Sequence, residues 1–274
     1  MFSEDLAAAA ASAEKKIALL RTSKMQYLIF AMLAGMFVGF GVCAMSTAGG
    51  ALSAVSHPLI KLLNAALFPA ALSFVVFAGA ELFTGNVFLT AVGVMEKRIR
   101  LSELFSIWLF SYLGNLLGSM LCAALFAATG LLCGDTLRFV LSSMEAKTTL
   151  SFGALFFRGL FCNLLVCLAV WCCTKTKSES GKLCMIFWCI FVFVLCGFEH
   201  SIANMTMFSL GLFAPREAAS AVMAGLASGN AVDLSLPAGL FRSLYNLFFV
   251  TAGNITGGLL LAWAYHFISM KRDR

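Results

Sequence analysis

The stretch from Leu183 to Ala214 carries no charged side chain except Glu199, whose neighbour is His200. A bilayer is crossed by roughly 20 apolar residues, so this stretch is long enough to lie inside a membrane. A glutamate and a histidine at that depth are costly unless they face a protein interior or a water-filled path. The pair therefore indicates either a transport pathway or a buried polar cluster with a purely structural role.

The rest of the chain has the same apolar character. Hydrophobic residues make up 61% of it and charged residues 12%, and the mean hydropathy is +0.94. A soluble surface needs more charge, which makes the chain an integral membrane protein. We predict an all-α membrane protein with six transmembrane helices, within residues 26–46, 62–95, 104–133, 152–173, 183–213 and 240–269.

Basic residues cluster before the first span, in the second and fourth connections and after the sixth span. Because basic segments stay in the cytoplasm, both termini are expected there, including the tail of residues 270–274. The spacing of Leu6, Ala10, Ala13 and Ile17 predicts a cytoplasmic amphipathic helix within residues 1–25. The net charge of +6 is explained by these flanks and is no argument for nucleic acid.

Three short motifs recur in the same order along the chain. The matched pairs are GMFVG (35–39) with GLFCN (159–163), ELFTGN (81–86) with EHSIAN (199–204), and GNLLG (114–118) with GNITG (253–257). They predict two related halves, residues 26–133 and 152–269, joined by an outer connection of residues 134–151. With three spans each, the halves must have opposite orientations in the membrane.

The second and fifth spans are the long ones, and each has polar residues near its centre. Residues 84–86 and 201–204 are poor places to continue a helix in lipid, so we predict a break in both helices that lines a cavity. A break exposes amide groups and a helix N-terminus with partial positive charge. Two such ends meeting near the midplane would attract an anion.

Four segments together resemble the signatures of the formate/nitrite transporter family. They are GAELFTG (79–85), GLFCNLLVCLA (159–169), GFEHSIANM (197–205) and GNITGG (253–258). The resemblance covers essentially the whole chain. It implies an aquaporin-like protomer with broken second and fifth helices, assembled as a homopentamer in the lipid of the bacterial inner membrane, with one pore per protomer.

The resemblance also implies a substrate and pore residues. Within the family the chain looks closest to the hydrosulfide channel branch, with formate and nitrite also open as substrates. The implied lining includes the outer vestibule residue Lys147, the cytoplasmic constriction Leu82 and Val166, the outer constriction Phe193, and the polar residues Thr84, Asn163 and His200. Four further residues are expected to support the structure, with Glu199 on the cytoplasmic side: Glu81, Glu199, Asn86 and Asn204.

His200 between apolar constrictions leads to two hypotheses. The reference pKa of histidine, about 6.5, would allow it to give a proton to a weak-acid anion, which could then cross as the neutral acid. In the competing hypothesis a neutral His200 donates a hydrogen bond to the ion.

Other classes of function are less consistent with the sequence. An intramembrane enzyme is not expected, because Ser201 and His200 would point to different sides of a helix and there is no glycine-rich nucleotide loop. The ten cysteines lie in or beside apolar spans without histidines at ligand spacing, so neither a metal nor a cofactor is expected. A neutral-solute channel for water or glycerol is the alternative, although no proline follows Asn86 or Asn204 as the paired Asn-Pro-Ala pattern would require.

Overall fold

The computed structural model describes residues 2–53, 57–226 and 236–270 of the 274-residue chain. Within these residues the regular structure is entirely helical. The helices are α1 (Ser3–Thr22), α2 (Lys24–Leu52), α3 (His57–Leu67), α4 (Pro69–Ala78), α5 (Phe83–Met95), α6 (Leu101–Ala128), α7 (Gly134–Thr148), α8 (Phe152–Lys175), α9 (Glu179–Cys196), α10 (Ser201–Phe213), α11 (Arg216–Leu226) and α12 (Leu236–Met270).

Six helical segments are long and apolar enough to cross a membrane, which confirms the predicted number of spans. They are Lys24–Leu52, Pro58–Ala78, Leu101–Ala128, Phe152–Lys175, Glu179–Cys196 and Ala238–Ser269. Two shorter apolar helices, α5 and α10, follow the second and fifth of these segments. The predicted tail lies outside the described residues from position 271 onward.

Both short helices follow a glycine that ends the preceding helix. Gly79 has φ +74° and Gly197 has φ +73°, the left-handed conformation that suits glycine after a helix. A Cβ at either position would meet no atom within 4 Å, so the requirement is conformational rather than steric. The chain is then non-helical until Phe83 and Ser201, where α5 and α10 begin. Residues 84–86 and 201–204, where breaks were predicted, are therefore helical, and the non-helical residues precede them.

Close helix contacts hold the long spans together in two pairs, α2 with α6 and α8 with α12. A Cβ on Gly118 would lie 1.9 Å from the carbonyl oxygen of Met32, and one on Gly257 would lie 2.3 Å from that of Leu160. The backbones therefore touch directly, as small residues permit between membrane helices.

Two helices outside the spans pack against the rest of the molecule: α1 before the first span and α7 between the third and fourth. α1 lies within the segment predicted as an amphipathic helix, and its buried residues Leu6, Ala9, Ala13 and Ile17 face the rest of the molecule, mainly α5. α7 occupies most of the connection 134–151 and carries Lys147 in its last turn. Each helix thus brings one lysine to a buried glutamate, Lys16 from α1 and Lys147 from α7.

Candidate functional site

The N-terminal ends of α5 and α10 meet in the interior. Thr84 is the second residue of α5, His200 is the N-cap of α10, and Thr84 Oγ1 lies 3.0 Å from His200 Nε2. Both side chains are buried. Because the first turn of a helix carries partial positive charge, this junction is a region of positive potential.

The hydrogen bonds of His200 define its tautomer. Nδ1 accepts a hydrogen bond from the backbone N–H of Ala203 at 3.2 Å, which requires a lone pair on that nitrogen. The proton of the neutral ring therefore sits on Nε2 and is donated to the Thr84 hydroxyl oxygen. A second proton on Nδ1 would break the helix cap.

An apolar cavity lies against His200. Its walls include Leu82, Val166 and Phe193, the three predicted constriction residues, and the further apolar side chains Val38, Phe68, Ala71, Leu72 and Ile190. Its volume of about 10 Å³ leaves space for about one water molecule. The Phe193 ring stacks on the imidazole at a centroid distance of 6.1 Å and 17° between planes.

Asn163 lies behind Thr84 and joins α8 to α5 and α12. Its Nδ2 donates to the carbonyl oxygens of Thr84, at 3.2 Å, and Asn254, at 2.7 Å. Its Oδ1 is buried and has no hydrogen-bond donor among the residues that the structure describes. A buried acceptor of this kind is costly unless something supplies a donor.

A glutamate cluster lies where α1 meets the start of α5. Lys16 Nζ donates to both Glu81 carboxylate oxygens, at 2.7 and 2.8 Å. Tyr27 Oη and Asn86 Nδ2 each donate to Glu81 Oε2 at 3.0 Å. The carboxylate is therefore paired and fully engaged, as a buried charge requires.

A second glutamate cluster lies where α7 meets the start of α10. Lys147 Nζ donates to the Glu199 carboxylate at 2.8 and 2.9 Å, and Asn204 Nδ2 donates to Glu199 Oε2 at 2.6 Å. Asn204 also donates to Asn246 Oδ1 at 2.9 Å. The ion pair places Lys147 and Glu199 together, so the two expectations of an outer Lys147 and a cytoplasmic Glu199 cannot both hold.

Two asparagines hold the non-helical segments that precede α5 and α10. Asn115 accepts from the N–H of Phe83 at 2.9 Å and donates to the carbonyls of Ala31 and Glu81. Asn254 accepts from the N–H of Ser201 at 3.0 Å and donates to the carbonyls of Gly159 and Glu199. The oxygen of each side-chain amide thus accepts the first N–H of a helix, which has no partner within that helix, and its nitrogen donates to a carbonyl of the non-helical segment before it.

Sequence reasoning left several of these residues without a role. Lys16 is one of the basic residues before the first span and lies in the predicted amphipathic helix, and neither pattern assigns it a partner. The signal for its pairing is Glu81, a charge in an apolar span 65 positions later. Asn115 and Asn254 were noticed as repeat matches, yet nothing local shows that they bind the broken segments. Val38 and Phe68 are apolar residues in apolar helices and carry no sequence signal.

Comparisons with known proteins agree on one family. The profile described as "Formate/nitrite transporter" matches residues 3–268. The nitrite transporter NirC of Escherichia coli is 34% identical, with 100% of this chain and 95% of that protein covered.

Two solved structures are similar over nearly their whole length. One described as an "FNT family ion channel" has a TM-score of 0.84 and 32% identity, over 97% of this chain and 99% of the other. A pentameric formate channel with formate bound has a TM-score of 0.75 and 28% identity, over 91% and 98%. With its six apolar helices, this chain is an integral membrane protein, and it belongs to the formate/nitrite transporter family.

Proposed function

We propose that the protein conducts a small monovalent weak-acid anion, hydrosulfide, formate or nitrite, through a pathway in each protomer that passes His200. The observation that carries the proposal is the junction of Thr84 and His200, where two helix N-termini meet beside an apolar cavity. The helix ends supply positive potential without a mobile cation. The apolar walls impose dehydration, which an ion bears only where fixed donors replace its water.

The proposed architecture is an aquaporin-like protomer of two inverted repeats, residues 26–133 and 152–269, in which α3–α5 and α9–α10 are interrupted second and fifth spans. The hydrogen bonds of Asn115 and Asn254 support this symmetry. They also support a register in which Ala31, not Gly35, corresponds to Gly159. Ala31 and Gly35 are one helical turn apart and lie on the same face of α2, so in this register the match of GMFVG (35–39) with GLFCN (159–163) is offset by one turn.

Both ends of the proposed pathway carry a lysine paired with a glutamate. Lys147 lies at the outer end and Lys16 at the cytoplasmic end, the side on which we place both termini. Each pair is largely buried, with side-chain exposures of 23% and 5% for Lys147 and Glu199 and of 14% and 11% for Lys16 and Glu81. The lysine in each pair offsets the negative charge of the carboxylate, so Glu81 and Glu199 would hold the lysines in place without repelling an approaching anion.

The assembly is proposed to be a homopentamer in the lipid of the bacterial inner membrane. Support comes from the pentameric formate channel to which the chain is similar over 91% of its length. Exposed apolar side chains on the outer faces of the spans, such as Leu109, Leu117 and Leu125 on α6, are suited to lipid or to neighbouring protomers.

Among the three anions we favour hydrosulfide. The cavity beside His200 has space for about one water molecule, and hydrosulfide has a single heavy atom, whereas formate and nitrite have three. The similarity to a nitrite transporter is the reason to keep nitrite as the second candidate.

For His200 we favour the neutral-donor hypothesis over the proton relay. Its Nδ1 is occupied by the Ala203 cap, so a doubly protonated ring would disrupt the start of α10. The Nε2–H, shared with the Thr84 hydroxyl, remains available to an ion that displaces Thr84 from it.

The test is anion flux in proteoliposomes, comparing hydrosulfide, formate, nitrite and chloride, with proton flux recorded in the same vesicles. We expect saturable flux of weak-acid anions, fastest for hydrosulfide, and slower flux with His200→Asn. Proton movement that is stoichiometric with the anion in the wild type and absent from His200→Asn would favour the relay. Water or glycerol flux without anion flux would favour the neutral-solute channel and contradict the proposal.

A further inference from the structure

A second cavity lies along the C-terminal half of α1, between that helix and the α5–α6 connection. Its volume is about 420 Å³. Four basic side chains line it, together with two acidic ones and three apolar ones: Arg21, Lys97, Arg98 and Arg100, then Glu14 and Glu103, then Ile17, Ala18 and Ile99. The surplus is two positive charges.

The acidic residues around this cavity are already paired. Glu103 binds Arg21 and also accepts the backbone N–H of Arg100 at 2.7 Å. Glu14 lies 3.6 Å from Arg98. Glu96, in the same connection, is turned to His266 at 2.9 Å. Lys97 and Arg100 have no ion pair within the described residues, so theirs are the two uncompensated charges.

The backbone of the connection is shaped around the cavity. Lys97 has φ +58°, an uncommon conformation for a residue with a side chain, and the N–H groups of Arg98 and Ile99 both donate to the carbonyl of Gly93. Arg100 is the N-cap of α6, so the partial positive charge of that helix start adds to the side-chain charges. Together these features favour an anion.

The surroundings of the cavity favour a lipid over a soluble anion. Leu101 and Phe105 follow Arg100 on α6 and are 57% and 56% exposed, and Met25 follows Arg21 at the start of α2 and is 66% exposed. These apolar side chains belong to the first turns of the membrane-spanning helices α2 and α6, close in sequence to the cavity residues Arg21 and Arg100. An anionic headgroup in the cavity would therefore have its acyl chains beside an apolar helix surface.

We propose that the cavity between α1 and the α5–α6 connection binds the phosphodiester headgroup of an anionic phospholipid, with Lys97 and Arg100 as its principal cations. Arg21, Arg98 and Glu14 stand at the same cavity on α1 and the connection, so the bound headgroup also joins α1 to the membrane-spanning part. α1 carries Lys16, two residues from Glu14, which ties lipid occupancy to the position of the Lys16–Glu81 pair.

The test uses the purified full-length protein in neutral detergent and measures binding of dioleoylphosphatidylglycerol by native mass spectrometry, with the thermal unfolding midpoint as a second readout. Removing two basic residues from a membrane-surface site is expected to weaken binding about thirtyfold. We therefore expect Lys97→Gln/Arg100→Gln to lose that affinity and the lipid-induced rise in unfolding midpoint. The charge-preserving variant Lys97→Arg/Arg100→Lys should keep both.

The matched control is Lys15→Gln/Lys177→Gln, which removes two exposed basic residues that do not line the cavity. This control should bind phosphatidylglycerol like the wild type, and dioleoylphosphatidylcholine should bind weakly to all variants. Equal losses in the two double glutamine variants would overturn the proposal in favour of general surface attraction. Stabilisation by inorganic phosphate alone, to the same extent as by the lipid, would overturn the assignment to a lipid.

Discussion

Thr84 Oγ1 and His200 Nε2 are 3.0 Å apart although the two residues are separated by 116 positions in the chain. The contact joins the start of α5 to the start of α10, and a second buried hydrogen bond, from Asn163 Nδ2 to the Thr84 carbonyl, holds the same turn of α5 from behind. On the proposed function, an ion crossing here exchanges places with the Thr84 hydroxyl at the His200 N–H.

Thr84→Val keeps the shape of the side chain and removes the hydroxyl that accepts from His200. One hydrogen bond contributes about 1 kcal/mol, so we expect anion flux in proteoliposomes to change by about fivefold, with a small change in unfolding midpoint. Thr256→Val is the control, since that hydroxyl donates only to Ala252 within its own helix. Equal flux changes in both variants would show that the Thr84 contact has no special role.

Lys16→Met removes the cation from the Glu81 cluster and leaves a largely buried carboxylate unpaired. Loss of one partner of a buried pair costs about 3 kcal/mol, and the remaining negative charge repels anions, so both stability and flux should fall. Lys16→Met/Glu81→Gln should recover much of each loss. Lys15→Met, an exposed neighbour, should behave like the wild type in thermal unfolding and flux assays. A double variant no better than the single one would contradict this account.

Asn115→Ala and Asn254→Ala each remove three hydrogen bonds: one to the first N–H of α5 or α10, one to the segment before that helix and one to a neighbouring span. At about 1 kcal/mol per bond, we expect each to lower the free energy of unfolding by about 3 kcal/mol. Asn64→Ala is the comparison: this asparagine is also buried, but its Oδ1 has no partner in the described part of the chain. Its loss should be clearly smaller when unfolding is followed by circular dichroism.

Gly118→Ala and Gly257→Ala would force a methyl group into the backbone of the neighbouring helix. Overpacking of this kind costs about 1–3 kcal/mol or more, so both variants should show lower unfolding midpoints and poorer recovery from membranes. Gly153→Ala is the control, because a Cβ there would meet nothing within 4 Å. A stable Gly118→Ala protein would mean that α2 and α6 can separate without cost.

The six spans could be predicted from the sequence because the requirement for an apolar helix in lipid acts on each segment alone. The same holds for the unusual position of Glu199 and His200, since a charge in an apolar run is visible without any partner. The interruptions were expected at residues 84–86 and 201–204, but those residues are helical, and the non-helical residues lie just before them, after Gly79 and Gly197.

Pairings between distant residues could not be predicted in this way. Glu199 was expected on the cytoplasmic side by analogy with its repeat partner Glu81, whereas the structure pairs it with Lys147, which was expected at the outer side. The sequence around a glutamate does not show which distant lysine it meets. The motif match pairs Gly35 with Gly159, whereas the equivalent bonds of Asn115 and Asn254 go to Ala31 and Gly159. Residues one helical turn apart look alike in such a match, so the sequence does not choose between the two registers.

The sequence by itself determined that this chain lies in a membrane, crosses it six times and buries an acid and a histidine, because the cost of polar groups in lipid is a property of each segment. Only the tertiary structure decided that Thr84 meets His200, that Lys16 and Lys147 each neutralise a glutamate, and that apolar side chains from several helices enclose one small cavity. Those outcomes depend on how the helices pack, and packing is set by contacts between residues far apart in the chain.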